Sequence, residues 1–147
     1  MRLTQWTDYT LRVLMYCAQH QGRESPVTIT EIAEHHRISR SHLTKIVQEL
    51  AAQSLLETTR GRGGGIRLLR PARSIQLGAV VRATERDFTV VECFDAAQNQ
   101  CCLDPHCGLK AVLARAMQQY FEVLDGVTLA DLVAQPRNTI ALPISRR

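Results

Sequence analysis

Residues 28–69 constrain the fold of this 147-residue chain most, because their local signals change period twice in a fixed order. Thr28-Ile-Thr-Glu31 is a capping box, in which the Thr and Glu side chains each satisfy a backbone donor of a helix's first turn. It opens a short helix over residues 29–36, with Ile32 and Ala33 facing inward. Arg37-Ile38 breaks the period, and Ser39 caps a second helix running to about residue 53. Leu43, Ile46, Val47 and Leu50 form its buried stripe. Ser41, Lys45 and Gln48 point the opposite way, with Arg40 and His42 flanking them near the N-terminus. Residues 55–59 and 66–69 then read as two strands around the turn Arg60-Gly-Arg-Gly-Gly-Gly65, ended by Pro71. Two short helices with a tight break, followed directly by a hairpin, predict a winged helix-turn-helix.

Such a unit reads DNA. Arg40, Ser41, His42 and Lys45 are expected to face the major groove. Arg60 and Arg62 are expected to serve the phosphate backbone or the minor groove. Thr28, Ser39 and Gly63 complete the expected contact set. A glycine-rich turn also occurs in nucleotide-hydrolysing enzymes, but here no Gly-Lys-Ser/Thr follows and the turn joins two strands. Charge agrees with a polyanion partner: residues 1–86 hold 13 Lys/Arg against 7 Asp/Glu, whereas residues 87–147 hold 5 against 7.

Around this unit, residues 8–20 read as a helix capped by Thr7, with Leu11, Leu14, Met15 and Ala18 on one face. Cys17 lies among them as a small buried hydrophobe, and Trp6 is a packing anchor at the helix start. His35 and His36 end the helix over residues 29–36, where a cation favours the macrodipole. Ser74 caps a fourth, short helix reaching about Glu85. From about Cys107 a long helix carries Leu109, Val112, Leu113, Ala116, Met117, Tyr120 and Leu124 as one apolar stripe. The stripe has two readings, a part of the monomer core and a dimer seam; a winged helix of about 85 residues already closes its own core, which favours the seam. Two recognition helices about 34 Å apart then suit a palindromic operator in double-stranded DNA. Thr128 and Asp131 start a last short helix over residues 129–134. The fold class is therefore mainly α with a small β-hairpin wing, a winged helix-turn-helix plus a long C-terminal dimerisation helix. Its expected parts are residues 1–86 for DNA, 87–108 for a cysteine-rich loop, 109–135 for dimerisation with a short terminal helix, and 136–147 as a disordered tail.

The loop holds Cys93, Cys101, Cys102 and Cys107. No apolar run approaches twenty residues and the N-terminus lacks a signal peptide's apolar segment, so a cytoplasmic protein with no membrane partner is expected. Thiols stay reduced in that compartment, which makes a metal or redox role the first reading and a disulfide framework the last. Seven residues separate Cys93 from Cys101, and five separate Cys101 from Cys107. Zinc sites draw ligands in closer pairs, so this spacing favours an iron–sulphur cluster over zinc. Adjacent residues point apart, so Cys101 and Cys102 do not readily ligate together.

Four segments together resemble the NsrR branch of the iron–sulphur winged-helix regulators, the family that also contains IscR. They are Asp8 within Leu3-Thr-Gln-Trp-Thr-Asp-Tyr-Thr-Leu-Arg12, the wing Arg60-Gly-Arg-Gly-Gly-Gly-Ile-Arg-Leu68, the loop Cys101-Cys-Leu-Asp-Pro-His-Cys-Gly-Leu-Lys110, and Leu124-Asp-Gly-Val-Thr-Leu-Ala-Asp-Leu132. The resemblance implies a homodimeric repressor, a nitric oxide signal, and one cluster per subunit, 4Fe–4S in preference to 2Fe–2S. It implies Cys93, Cys101 and Cys107 as ligands, with Asp8 of the partner subunit as the fourth. Pro105, four residues after Cys101 and two before Cys107, matches the family's loop, and Cys102 becomes a bystander. The Cys93–Cys101 gap is longer than the family pattern, which leaves Cys102 as an alternative ligand. On helical pattern alone, Asp8 is equally a carboxylate placed at a helix N-terminus.

Three other readings compete: a regulator sensing iron or cluster supply, as IscR does; a zinc-stabilised or thiol-redox DNA-binding module; and an enzyme using Cys107 with His106. The last is disfavoured, because loop neighbours seldom give a nucleophile and base facing geometry.

Overall fold

The computed structural model describes residues 2–103 and 106–134. Pro105 and the expected tail lie outside the described residues. The elements run α1 Gln5–Gln19, α2 Ile29–His36, α3 Arg40–Ala52, β1 Leu56–Thr59, β2 Gly65–Leu68, α4 Leu77–Thr84, α5 Gly108–Asp125 and α6 Leu129–Ala134. β1 and β2 form one antiparallel pair with Leu56 opposite Leu68 and Thr59 opposite Gly65. This is a winged helix-turn-helix, mainly helical with a two-stranded hairpin.

The helix-turn-helix forms for the reasons its sequence carries. The capping box is made, with Thr28 Oγ1 accepting from Glu31 N at 3.2 Å and Glu31 Oε2 accepting from Thr28 N at 3.4 Å. Arg37 takes the left-handed conformation (φ 56°) that ends α2, and the Ile38 amide donates back to the Ala33 carbonyl at 3.1 Å. Leu43, Ile46, Val47 and Leu50 of α3 are all buried, against Val13 and Leu14 of α1 and Ile32 of α2. Each such side chain contributes roughly 1.5–3 kcal/mol by leaving water. Cys17 is in the same core, and burial, with the nearby Glu31 charge, pushes its thiol up to about 12.

Two helix starts differ from expectation. α1 begins a turn early: Thr4, not Thr7, is the cap, its Oγ1 accepting from Thr7 N at 3.3 Å. The reason is tertiary, since Thr4 N–H also donates to Glu85 Oε1 at 2.6 Å, and Thr7 is fully buried. Ser74 does not cap α4. It closes a single 3-10 turn, and the chain stays extended through Gln76. That extension is held by a bridge to the start of α6, with Leu77 N–H on Val127 O at 2.9 Å and Leu129 N–H on Ile75 O at 2.8 Å. At the end of α2, burial and then the His35 and Arg12 charges push His36 below its ordinary pKa, against the cationic role expected there.

α5 stands apart. None of its residues is buried, and the expected single stripe divides into two faces. Leu113, Met117, Tyr120, Phe121 and Leu124 are half-buried toward their own chain. Phe121 meets Phe88 edge-on at 4.8 Å and lies under the Arg82 guanidinium at 4.2 Å. Arg82 grips both carboxylate oxygens of Asp125, at 2.5 and 2.7 Å, and so ties α5 to α4. The second face, Leu109, Val112, Ala116 and Val123, recurs at heptad spacing and is open, with Leu109 62%, Val112 65% and Val123 66% exposed. α6 returns to the main core, where Leu129 is buried beside the 3-10 turn and α1.

Candidate nucleic-acid interface and cysteine loop

The N-terminus of α2, the outer face of α3 and the hairpin enclose a groove of about 370 Å³, whose lining includes Thr28, Arg40, Thr44, Gln48 and Arg60. Arg40, Ser41 and Lys45 are exposed on the α3 face, as a base-reading helix requires. Thr44 was not anticipated. It stands one turn after Arg40 and donates its hydroxyl to the Arg40 carbonyl at 2.8 Å. The i,i+4 spacing from Arg40 was the available signal.

Arg60 and Arg62 flank the hairpin turn and are exposed. Gly63 adopts φ 78°, which a side chain rarely allows, and a Cβ on Gly64 would lie 2.2 Å from the Thr59 carbonyl oxygen. The turn therefore needs glycine at both positions to carry its arginines outward. Arg67, in contrast, turns back to the Arg23 carbonyl at 2.9 Å and the Glu24 carbonyl.

Three expected contact residues have local duties. Thr28 and Ser39 are the N-caps of α2 and α3, and Ser39 Oγ accepts from His42 N at 3.4 Å. Their hydroxyls are exposed beside helix N-termini, where phosphate is also favoured. His42, expected in the major groove, does not line this groove. Its ring packs on α1, with centroids 5.8 Å from Trp6 and 5.2 Å from Tyr9. The backbone period could not reveal this, because the partner rings come from a helix more than thirty residues earlier.

The cysteine loop runs between α4 and α5. Cys93 lies in the 3-10 turn Glu92–Phe94. Cys101 follows an Asn99 turn, its amide donating to Asn99 Oδ1 at 3.0 Å. Cys107 is the N-cap of α5, where the helix end favours an anionic group. All three are half-buried free thiols, whereas Cys102 is exposed. Asp8 lies in the first turn of α1, and Arg12 holds both its oxygens, at 3.1 and 2.8 Å. Arg12 was also missed, although its i,i+4 spacing from Asp8 was legible. Among the described residues no three His, Cys, Asp or Glu side chains converge closely enough to hold a metal ion. Within one chain, then, the thiols and Asp8 are not gathered around a single ion. The donor types fit an iron–sulphur group, with three unpaired soft thiols on one loop and a carboxylate elsewhere.

Residues 3–135 match the Rrf2 family, described as iron-dependent transcriptional regulator. The chain belongs to the Rrf2 family. It is 48% identical over 142 residues to the HTH-type transcriptional regulator NsrR of Bacillus subtilis (strain 168), covering 97% of each chain. Its fold is similar to that of CymR (YrzC), the global cysteine regulator of B. subtilis, with a TM-score of 0.77 at 25% identity over 91% of this chain and 97% of that one. T. potens IscR gives a TM-score of 0.68 at 28% identity, over 90% of this chain and 86% of that one. Like these Rrf2 relatives, the chain is a DNA-binding transcriptional regulator, with no enzymatic role. No described helix is long and apolar enough to cross a membrane.

Proposed function

We propose that this Rrf2 regulator is a homodimeric repressor whose grip on a palindromic operator depends on an iron–sulphur cluster that reacts with nitric oxide. The observation that carries the reading is the loop itself: three half-buried free thiols, Cys93, Cys101 and Cys107, the last capping the helix whose far face is open. The 48% identity with NsrR supports it. The three thiols would hold one cluster per subunit, 4Fe–4S in preference to 2Fe–2S, with Asp8 of the partner subunit as the weaker fourth donor. When bound, such a cluster supplies iron that takes nitric oxide strongly.

The chain's own residues account for the response. The open heptad face of α5 is the seam that joins two copies and spaces their recognition helices. Asp8 has two possible partners, the loop across the dimer and Arg12 on its own helix. Engaged across the dimer, it fixes α1 against the other subunit. Released, it returns to the Arg12 guanidinium, and the two α3 helices lose their set spacing. This is a two-state coupling between a sensing loop and a DNA site.

The test is operator binding by protein purified without oxygen, before and after stoichiometric nitric oxide. A brown protein absorbing near 400 nm that loses affinity supports the reading. Unchanged affinity would overturn nitric oxide control, and a colourless protein with stoichiometric zinc would overturn the cluster.

A further inference from the structure

We infer that His42 is a positioning residue that carries the state of the Asp8 turn to the recognition helix, and that it acts through ring packing and not through base contacts. The inference rests on the reading of Asp8 as the cluster's carboxylate donor, and it names the route by which that donor reaches the DNA-reading face.

The route is continuous. Asp8 is bound on both oxygens by Arg12. The Arg12 guanidinium carbon lies 5.7 Å from the centre of the Tyr9 ring. The Tyr9 hydroxyl accepts from Gln5 Nε2 at 2.8 Å, so this ring is held from both sides by α1. Tyr9 then meets the His42 ring edge-on, 5.2 Å away with planes at 67°. Trp6, one turn earlier on the same helix, contacts the same imidazole at 5.8 Å and 36°. His42 is the third residue of α3, and its amide is the one that Ser39 caps. The turn gripped by the two aromatic rings is thus the turn that presents Arg40 and Ser41.

Asp8 stands between Trp6 and Tyr9 in sequence, so whatever moves its turn moves both rings. Packed contacts such as those of Trp6 and Tyr9 on His42 switch between discrete arrangements and do not deform smoothly. Taking Asp8 away from Arg12 also leaves a guanidinium beside Tyr9 without its counter-charge, which strengthens its attraction to the ring face.

The experiment compares His42→Ala with His42→Phe in the full-length dimer, each with and without its cluster. Phe keeps a ring for Trp6 and Tyr9 but has no hydrogen-bonding group for a base. His42→Phe is expected to keep operator affinity within about threefold and to keep the wild-type ratio between loaded and unloaded protein. His42→Ala is expected to lose about tenfold when loaded, the scale of two aromatic contacts, and to show a smaller ratio. Equal losses in the two variants, or an undiminished ratio in His42→Ala, would overturn the inference. Tyr9→Leu is the second variant should the alanine protein not fold, and the same reduced ratio is expected of it. Trp6 is the chain's one tryptophan, which gives a readout independent of the cluster. In cluster-free protein at low salt, operator DNA should change Trp6 emission in wild type and not in His42→Ala; no change in wild type counts against the coupling. Should wild type bind equally with and without cluster, the proposal of cluster control fails, while the Phe–Ala comparison and Trp6 emission still decide the role of His42.

Discussion

The DNA-reading half and the half that holds the cysteine loop and α5 are built to different standards of completeness. In the first, Leu43, Ile46 and Leu50 are 0–1% exposed, both helices of the motif are capped, and the wing turn meets its glycine requirements. In the second, a long loop leads into α5, which has no buried residue and turns Leu109, Val112 and Val123 outward. On the proposed reading, a second copy on the open α5 face and a group held by the loop thiols complete this half, and that completion carries the signal.

This contrast can be broken at the loop first. Cys107→Ser should abolish cluster absorbance and lower operator affinity by on the order of 10²–10³-fold, toward non-specific binding. Cys102→Ser should stay within about twofold in both spectrum and affinity. A reversed order would transfer the ligand role to Cys102.

Next in size is the division between core and seam. Leu43→Ala should cost about 3 kcal/mol in denaturant unfolding. Val112→Ser should leave the unfolding of dilute, cluster-free protein nearly unchanged, and should weaken dimerisation by about tenfold or more in sedimentation equilibrium. A seam substitution that destabilises the isolated chain as much as Leu43→Ala would make α5 part of the core.

On the reading face, Arg60→Ala and Arg62→Ala should each weaken binding uniformly across DNA sequences and reduce the salt slope by about one. Lys45→Ala should instead relax sequence preference, since it stands on the exposed α3 face.

The smallest expected effect lies within the reader. Glu31 is hydrogen-bonded by Arg23, and that bond, followed by those from Thr28 and Tyr16, outweighs burial and holds its pKa below the ordinary value. A carboxylate depressed on folding stabilises above its unfolded pKa and loses that contribution as pH falls through the folded value. Glu31→Gln should therefore cost about 1 kcal/mol near pH 7, discounted for its partial exposure, and almost nothing once the pH has fallen through the folded-state value. A cost that persists in acid would assign Glu31 a packing role.

The order of elements, the motif, the hairpin and the grouping of the cysteines on one loop were legible because each depends on neighbours within a few residues. Capping boxes, helical stripes and glycine turns are local chemistry. Residues answering to distant parts of the chain were not legible in this way. Thr4 displaced Thr7 as cap through Glu85, and Gln76 stayed extended through Thr128. His42 met Trp6 and Tyr9, and the α5 stripe divided once α4 claimed one side of it. Sequence alone determined that this chain carries a DNA reader followed by a thiol loop. Only the tertiary structure decided which residues face the groove, which face another helix, and which apolar face is left open. Those choices depend on contacts between segments tens of residues apart, whose geometry no local period encodes.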